Sequence, residues 1–370
     1  MASSAAEYGS FGAAADAILT QRQWSDDLHF QVQNKLFFNQ KGFIGPDKGG
    51  EDGLEDSVAW YPIVEKYDLD KNQGDSVRVG LLRQLSTSLF ATGNTALEGT
   101  TNIQKMDFDG FLVWVELART GTGWQSKVSQ QRNRFHTKGN AGRLLANVMA
   151  QYMDDSCFNA FYNGYSGHIV TEISGASNTV HPNQMYAGTA TTEDELDQAD
   201  VFNTELLERM GTWLEENNIN PILMENGETG YSIIIHPRQL HTLRADDRWH
   251  NSMAEAQPQN GWENPIFSRA TGIYNGISIH VSNKIASGTQ NESVRRAILM
   301  GAHSVGRAVA QLPELIPSDS TDFHRVHEWA IDSIFGDSRA DYDQDTSDDS
   351  ANPNFNQSSS VWDTWAAPVN

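Results

Sequence analysis

The stretch RQLSTSLFATGNTALEGTTNIQKMDFDG, residues 83–110, carries few large apolar side chains, yet strand-like segments flank it on both sides. Before it, DSVRVGLL places Val77, Val79 and Leu81 on one face, with the period of two that is typical of a half-buried strand. After it, FLVWVELAR repeats this alternation at Phe111, Val113, Val115 and Leu117. An isolated two-stranded ribbon is only marginally stable in water, and long weakly apolar connections are rare in compact domains. We therefore expect the ribbon to lie on another surface, which in a homo-oligomer is a neighbouring copy.

A long helix is predicted after the second strand, from about Ser126 to Tyr162, because apolar residues recur there at helical spacing. The residues expected to pack along this helix are Leu144, Leu145, Val148, Met149 and Tyr152. Further along the chain, strand and helix patterns mix without a regular βαβ order. The sequence therefore predicts an α+β protein.

The charge balance and the hydropathy pattern exclude several classes of protein. The chain has 48 acidic and 26 basic residues, a formal net charge of −22. A negative field of this size repels phosphate backbones, so we expect no direct binding to nucleic acid. No run of 18 apolar residues is present, so the sequence predicts no membrane span.

The richest group of potential metal ligands lies in HPRQLHTLRADDRWH, and a shorter one in HRVHEW. The first group consists of His236, His241, Asp246, Asp247 and His250. Its histidines are spaced i+5 and i+9, which does not put them on one face of a helix. The second group consists of His324, His327 and Glu328, and it matches neither order of the helical zinc-protease motifs.

Other catalytic signatures are missing from the sequence. There is no Gly-x-Ser-x-Gly elbow and no phosphate-binding loop with Lys-Ser/Thr. The single cysteine, Cys157, rules out a Cys-based zinc site and is predicted to be a buried small apolar residue. We therefore predict a structural protein rather than an enzyme, with no cofactor and no metal. A metal-dependent hydrolase using the His236–His250 cluster is the alternative.

Several motifs resemble those of a known family. In order, they are GDSVRVGLLRQLS, TGNTALEG, DFDGFLVWVELARTG and QRNRF, followed by AGRLLANVMAQYMDDSCFNAFYNG. This order resembles the major capsid proteins of tailed double-stranded-DNA bacteriophages, and more narrowly the branch typified by the capsid protein of the coliphage N-four. Softer matches continue the likeness over roughly residues 55–340, and the Leu97-Glu98-Gly99 segment is its most specific part.

The resemblance implies the Hong-Kong-ninety-seven-type capsid fold. Its first part would be an N-terminal arm (1–55). Residues 56–190 would then form an extended β-hairpin loop (about 75–119) and a peripheral domain with a spine helix (about 126–162). An axial domain (191–315), a return to the peripheral domain (316–340) and an acidic polar C-terminal tail (341–370) would follow. The stretch at residues 83–110 would form the tip region of the extended loop.

The same resemblance implies partners and interface residues. The partners would be other copies of the chain in hexamers and pentamers, with decoration, scaffold or portal proteins. The shell would be icosahedral, would be assembled in the bacterial host cytoplasm and would enclose DNA in the virion. The residues expected at the assembly interface are Arg78, Arg83, Gln84, Leu97, Glu98 and Phe108. A ring-forming portal or tail protein is a further alternative.

Overall fold

The computed structural model describes residues 32, 35–46, 61–67, 74–82, 108–125, 137–167, 181–223, 229–256, 272–289, 291–317, 326–343, 354–355 and 358–366 of the 370. The helices are α1 (Phe37–Gln40), α2 (Thr137–Asn163), α3 (Thr204–Glu216), α4 (Pro237–Ala245) and α5 (Asp247–Ala256). The first eight strands are β1 (Ile44–Pro46), β2 (Ile63–Lys66), β3 (Ser76–Leu82), β4 (Phe108–Trp114), β5 (Glu116–Gln125), β6 (Gln184–Tyr186), β7 (Ile222–Leu223) and β8 (Thr229–Ile235). The remaining strands are β9 (Ile273–Tyr274), β10 (Ile277–Val281), β11 (Val294–Met300), β12 (Val305–Pro317), β13 (Val326–Arg339), β14 (Tyr342–Asp343), β15 (Asn354–Phe355) and β16 (Ser359–Trp365). Helices and sheets mix without a βαβ repeat, which confirms the predicted α+β class.

A five-stranded sheet, ordered β1-β2-β12-β13-β5, forms the first body of the molecule. Its longest strands, β12 and β13, pair antiparallel with two register shifts between Val309 and Glu314. One face packs against α2, which has 27 residues and therefore rises about 40 Å. Leu145 and Met149 of α2 share this core with Ile331 and Phe335 of β13. The sequence predicts that this helix begins near Ser126. Its first described residue is Thr137.

A seven-stranded sheet forms the second body, in the order β6-β16-β11-β8-β10-β9, with β7 paired to β8. Both faces are covered, which is why β8 ends in three consecutive buried isoleucines. Ile233 and Ile235 pack with α3 and α4 on one face. Ile234, between them, packs on the other face with Phe158 and Phe161 of α2. The C-terminal half of α2 therefore joins the two bodies.

A four-stranded sheet, ordered β15-β14-β4-β3, carries the predicted ribbon. β3 and β4 pair antiparallel from Ser76↔Trp114 to Leu82↔Phe108. Val79 and Phe111 are buried against Ala308 of β12 and Ala340. The two strands at the base of the ribbon therefore lie on the five-stranded sheet, and the chain between them, residues 83–107, lies outside the described residues.

The C-terminal segment differs from the prediction of a polar tail over 341–370. β16 lies between β6 and β11 in the seven-stranded sheet, and its side chains are almost entirely buried. The prediction failed because Ser359, Ser360 and Asp363 make the strand read as polar, although each of these side chains has a polar partner inside the protein. The partners are His181 Nε2 for the Ser359 hydroxyl, Trp362 Nε1 for Ser360 Oγ and Gln184 Nε2 for Asp363 Oδ2.

The predicted boundary of the axial domain at residue 315 also differs from the structure. β11 ends at Met300 in the seven-stranded sheet, and β12 begins at Val305 in the five-stranded sheet. The crossing between the two bodies therefore falls at residues 301–304. A third correction concerns β5, which pairs with β13 rather than continuing the ribbon. Among the described helices, none has the length and apolar character needed to cross a lipid bilayer.

Candidate assembly surface

The base of the ribbon presents one buried face and one exposed face. Val77, Val79 and Val113 point into the core, whereas Arg78 and its cross-strand partner Leu112 are exposed. This alternation follows from the period of two along each strand. The exposed face thus combines a cation with a large apolar side chain at the foot of the extended connection.

Arg78 lies over Gly110 of the neighbouring strand. A Cβ atom at position 110 would come within 2.9 Å of Arg78 Nε and of the Val79 carbonyl oxygen. Glycine at this position therefore leaves room for the arginine side chain to cross the strand. Arg78 is the predicted interface residue whose side chain the structure describes. Arg83, Gln84, Leu97 and Glu98 lie outside the described residues, and Phe108 is described as the first residue of β4, with its backbone paired to Leu82.

A trough of about 480 Å³ runs along the far end of the five-stranded sheet. Its floor is open because Gly121, Gly123 and Ala330 carry little or no side chain. Arg119, Glu328, Ile316 and Trp329 also line it. Apolar groups with charges of both signs at the edge are the usual make-up of a protein-binding surface. Sequence reasoning missed this trough because its parts come from strands that are far apart along the chain.

The helix stripe expected to pack in the core is split by the structure. Leu145 and Met149 are buried against the five-stranded sheet. Leu144, Val148 and Tyr152, at i, i+4 and i+8, are 59%, 47% and 39% exposed, and we call them the α2 ridge. The prediction merged two adjacent rows because both are apolar, although a residue and its successor lie about 100° apart around a helix. The Tyr152 ring contacts Phe335 edge-on, with 6.3 Å between centroids.

A buried ion pair connects α2 to the sheet beneath it. Arg307 Nε of β12 donates to Asp337 Oδ1 of β13 at 2.6 Å, and Arg307 Nη2 donates to the Met153 carbonyl oxygen of α2 at 3.2 Å. Ser156 Oγ of α2 donates to Asp337 Oδ2 at 2.7 Å. The cluster fixes the angle at which the helix crosses the sheet. Next to it, burial raises the pKa of Cys157 well above its ordinary value, and the thiol is fully buried as predicted.

A second buried cluster lies within the seven-stranded sheet around Asp363 of β16. Gln184 Nε2 donates to Asp363 Oδ2 at 2.8 Å, and Arg296 Nε is 3.6 Å from Asp363 Oδ1. Arg296 Nη2 also pairs with Glu193 Oε2 at 3.1 Å. One guanidinium therefore serves two buried carboxylates. Burial raises the pKa of Asp363 to about 6.

The histidine-rich segment contains two residues, His236 and Asp246, whose side chains accept hydrogen bonds from backbone N–H groups at the start of helices. His236 is the N-cap of α4, where its Nδ1 accepts a hydrogen bond from Arg238 N at 3.1 Å. Burial lowers the pKa of His236 to about 4. Asp246 accepts from Thr204 N at 2.8 Å. His241 and His250 are exposed, and in the described part of the chain no group of three His, Cys, Asp or Glu side chains could hold a metal ion.

The second histidine group is only partly described. Glu328 is exposed at the trough, the backbone of His327 pairs with Trp124 in β5, and His324 lies outside the described residues.

Solved structures share this fold. The capsid asymmetric unit of cyanophage Pam1 superposes with a TM-score of 0.67 at 19% identity, covering 83% of this chain and 89% of that one. The capsid of Ralstonia phage GP4 gives 0.68 at 20%, covering 91% and 93%. The acid-stable capsid of Helicobacter pylori bacteriophage KHP30 gives 0.64 at 13%, covering 88% and 91%. No curated protein sequence matches the chain.

Sequence comparison agrees with the fold. The family model described as phage capsid protein matches residues 31–356, which include α2 and every described strand of the three sheets except β16. The chain belongs to the phage capsid protein family, and it is a structural capsid protein.

Proposed function

We propose that this chain is the subunit of a closed icosahedral shell around double-stranded DNA, in which each copy lays its extended loop on a neighbour. The finer assignment that we propose is the Hong-Kong-ninety-seven-type branch that the N-four capsid protein typifies. Assembly in the host cytoplasm, and scaffold, portal or decoration partners, belong to the same proposal.

The distribution of exposed apolar side chains carries this proposal. Among the described residues, the large apolar side chains that remain exposed lie on the ribbon, on α2 and on or beside the five-stranded sheet, with the single exception of Ile273. Leu112 is on the ribbon, and Leu117, Leu312 and Ile316 are on the five-stranded sheet. The seven-stranded body therefore exposes one large apolar side chain among the described residues, whereas the five-stranded body and α2 expose several, as expected of a surface that contacts partners.

The energetics favour many weak contacts over a few strong ones. Obligate interfaces bury about 2,000–5,000 Å². The apolar share contributes about 25 cal/mol per Å², and ordering the loops offsets much of it. Because every contact between subunits is repeated around a closed shell, the assembled shell is stable even where each single contact is weak.

The acidic charge fits a container for DNA. A lining of this sign would not hold the packaged genome by ion pairing, so the DNA could leave on infection. Gel-shift titration of the free subunit with duplex DNA at moderate salt checks this part, and tight binding would contradict it.

The test is removal of residues 86–106. We expect a folded monomer, with an unchanged circular dichroism spectrum, that forms no shells by sedimentation velocity and negative-stain microscopy. A matched control replaces the same residues with a Gly/Ser linker of equal length, and should fail in the same way because it lacks the contacting side chains. Normal shells from either variant would show that the loop assignment is wrong. Rings instead of shells from the wild-type chain would favour the portal or tail alternative, and bound metal in the purified protein would favour the hydrolase.

A further inference from the structure

Arg238 of α4 and Arg295 of β11, which we call the arginine pair, lie at one end of the seven-stranded sheet. β8 ends at Ile235, so His236 and α4 follow directly at the carboxyl end of this strand. β11 runs antiparallel to β8, so its second residue, Arg295, lies at the same end. Gln239 Nε2 donates to the Arg295 carbonyl oxygen at 3.0 Å, and this bond joins the first turn of α4 to the start of β11.

The arginine pair and His236 act on one another electrostatically. Burial, together with the charges of Arg295 and Arg238, lowers the pKa of His236 to about 4. Burial and the charge of Arg238 also lower the pKa of Arg295. Water screens charges that are far apart, so these effects indicate side chains that lie close together. All three residues are half-buried, and they form one region of positive potential that remains in contact with solvent.

The arginine pair has no counter-ion in the part of the chain that the structure describes. Arg295 Nε is buried without a hydrogen-bond partner there, and Arg295 Nη1 reaches the Val294 carbonyl oxygen at 3.3 Å. The charge of Glu292 favours the charged form of Arg295, but the two side chains form no ion pair. Arg296, the next residue, differs because it pairs with Glu193 at 3.1 Å. Two adjacent cations without a carboxylate are costly in a chain that has 48 acidic residues, which points to an anion from another molecule.

The chemistry of the three groups selects an oxyanion. Guanidinium groups bind carboxylates and phosphates through two parallel hydrogen bonds. His236 Nδ1 accepts a hydrogen bond from Arg238 N, so the neutral ring carries its proton on Nε2 and has a third N–H to donate. Other copies of this chain offer carboxylates in excess, since the formal net charge is −22. The seven-stranded body exposes one large apolar side chain among its described residues, so its charges are the available means of recognising another copy.

We propose that the arginine pair, together with His236, binds a carboxylate side chain of a second copy of this chain. The proposal rests on the assembly function proposed above, and it adds a charged contact to the apolar contacts of the five-stranded body. In the monomer the two guanidinium groups repel each other. In the assembled shell the carboxylate of the neighbouring copy neutralises them.

Replacing one arginine of the pair should affect the monomer and the assembly differently. Arg238→Gln removes one of two like charges, so the thermal midpoint of the monomer should stay the same or rise slightly. The protein concentration at the onset of assembly, measured by light scattering, should rise about tenfold because the carboxylate loses charge-assisted hydrogen bonds. Arg295→Gln should give the same two results.

Arg248→Gln is the matched control, because it removes an equal charge from an exposed position of the same body. It should leave the onset of assembly nearly unchanged. A second variant, Arg238→Lys, keeps the charge but loses the planar fork, and its onset should lie between those of the wild type and Arg238→Gln. An unchanged onset in both Arg238→Gln and Arg295→Gln would overturn the proposal.

Inorganic phosphate distinguishes the two sources of an oxyanion. At constant ionic strength, phosphate should raise the onset concentration of the wild type but not that of Arg238→Gln, because it competes with the carboxylate for the arginine pair. A lower onset in phosphate would identify free phosphate as the occupant and would overturn the assignment to a second copy. The wild-type monomer should also melt at a higher temperature in phosphate than in chloride, and Arg238→Gln should not. This melting measurement needs no shell, so a wild-type chain that forms no shells would contradict the proposed function and leave the anion site to be judged separately.

Discussion

Arg307 and Asp337 form an ion pair that has no access to water: Nε and Oδ1 are 2.6 Å apart, and the exposed fraction of the two side chains is 1% and 0%. They come from adjacent strands and meet under α2, where Ser156 and the Met153 carbonyl oxygen complete their hydrogen bonds. Buried pairs of this kind are costly to desolvate, so their value lies in fixing one arrangement of helix and sheet.

Asp337→Ala should therefore be strongly destabilising. It leaves the Arg307 guanidinium buried without its counter-ion, and we expect the free energy of unfolding to fall by about 3–5 kcal/mol. Urea denaturation monitored by circular dichroism measures this change. Glu328→Gln, an exposed carboxylate on the same strand, is the matched control and should shift the free energy by no more than about 0.5 kcal/mol. Similar losses in both variants would contradict the role given to the pair.

The stability of the seven-stranded body should depend on pH through Asp363. Its pKa is about 6 in the folded protein against an ordinary value of 3.8, so the folded state binds this proton more tightly than the unfolded state. The stabilising contribution is complete below about pH 4 and is lost as the pH rises through 6, a change of about 3 kcal/mol.

Asp363→Asn should remove this pH dependence, because the amide resembles the protonated acid and no longer competes with Glu193 for Arg296. Urea midpoints between pH 4 and 7 measure the difference between variant and wild type. Glu216→Gln, at an exposed position on α3, should keep the wild-type slope. A variant at position 363 that keeps the slope would show that another group titrates.

Replacing Gly301 and replacing Gly142 by alanine should change the free energy of unfolding in opposite directions. At Gly301 a Cβ atom would overlap the Asn220 carbonyl oxygen and lie 2.8 Å from Ile219 Cγ2, so Gly301→Ala should cost about 1–3 kcal/mol. At Gly142, in α2, nothing lies within 4 Å of the added atom. Gly142→Ala should therefore stabilise the protein by about 0.5–1 kcal/mol through the backbone entropy of the helix. Thermal unfolding of both variants gives the two signs directly.

Arg78→Ala should affect assembly and leave the monomer intact. The side chain is exposed, so the free energy of unfolding should change by no more than about 0.5 kcal/mol. An exposed ion pair contributes only about 0–1 kcal/mol, but this loss is repeated at every subunit contact of a shell. Light scattering should show a higher protein concentration at the onset of assembly. Glu216→Gln serves as the control on the other body, and an unchanged onset for Arg78→Ala would exclude the arginine from the interface.

Sequence patterns predicted the elements whose burial has a simple period. The alternation around Val77 and Val113 predicted β3 and β4, and the apolar spacing around Leu145 and Met149 predicted α2. The period-two alternation gave a wrong prediction where the chain changes sheets. It places Leu117 on the same face as Val115, but β4 ends at Trp114 and β5 begins in another sheet at Glu116. Leu117 is therefore exposed.

Contacts between distant parts of the chain could not be predicted from local patterns. The trough is lined by residues of β5, β12 and β13. Arg296 and Arg307 pair with carboxylates that are remote in sequence, Glu193 and Asp337. The burial of Asp363 could not be predicted from its neighbours in sequence, since a charged residue in a Ser-rich segment is normally solvated. The interface residues at the tip of the extended loop remain predictions.

Removal of residues 359–370 should unfold the seven-stranded body. β16 hydrogen-bonds to β11 on one side and β6 on the other, and Trp362 is completely buried. We expect insoluble or protease-sensitive protein, whereas removal of residues 367–370 leaves β16 in place and should be tolerated. A folded, protease-resistant product from the longer truncation would contradict the central place of this strand.

The position of β16 also sets an order of events during synthesis. The ribosome makes this strand after every other described strand of its sheet, so the sheet cannot close until residues 359–365 have been synthesised. A polypeptide terminated before Ser359 would carry β3, β4 and α2 but would leave an open gap between β6 and β11. A polypeptide of this kind would expose the strand edges of β6 and β11, which are the sites where unpaired backbone groups promote aggregation.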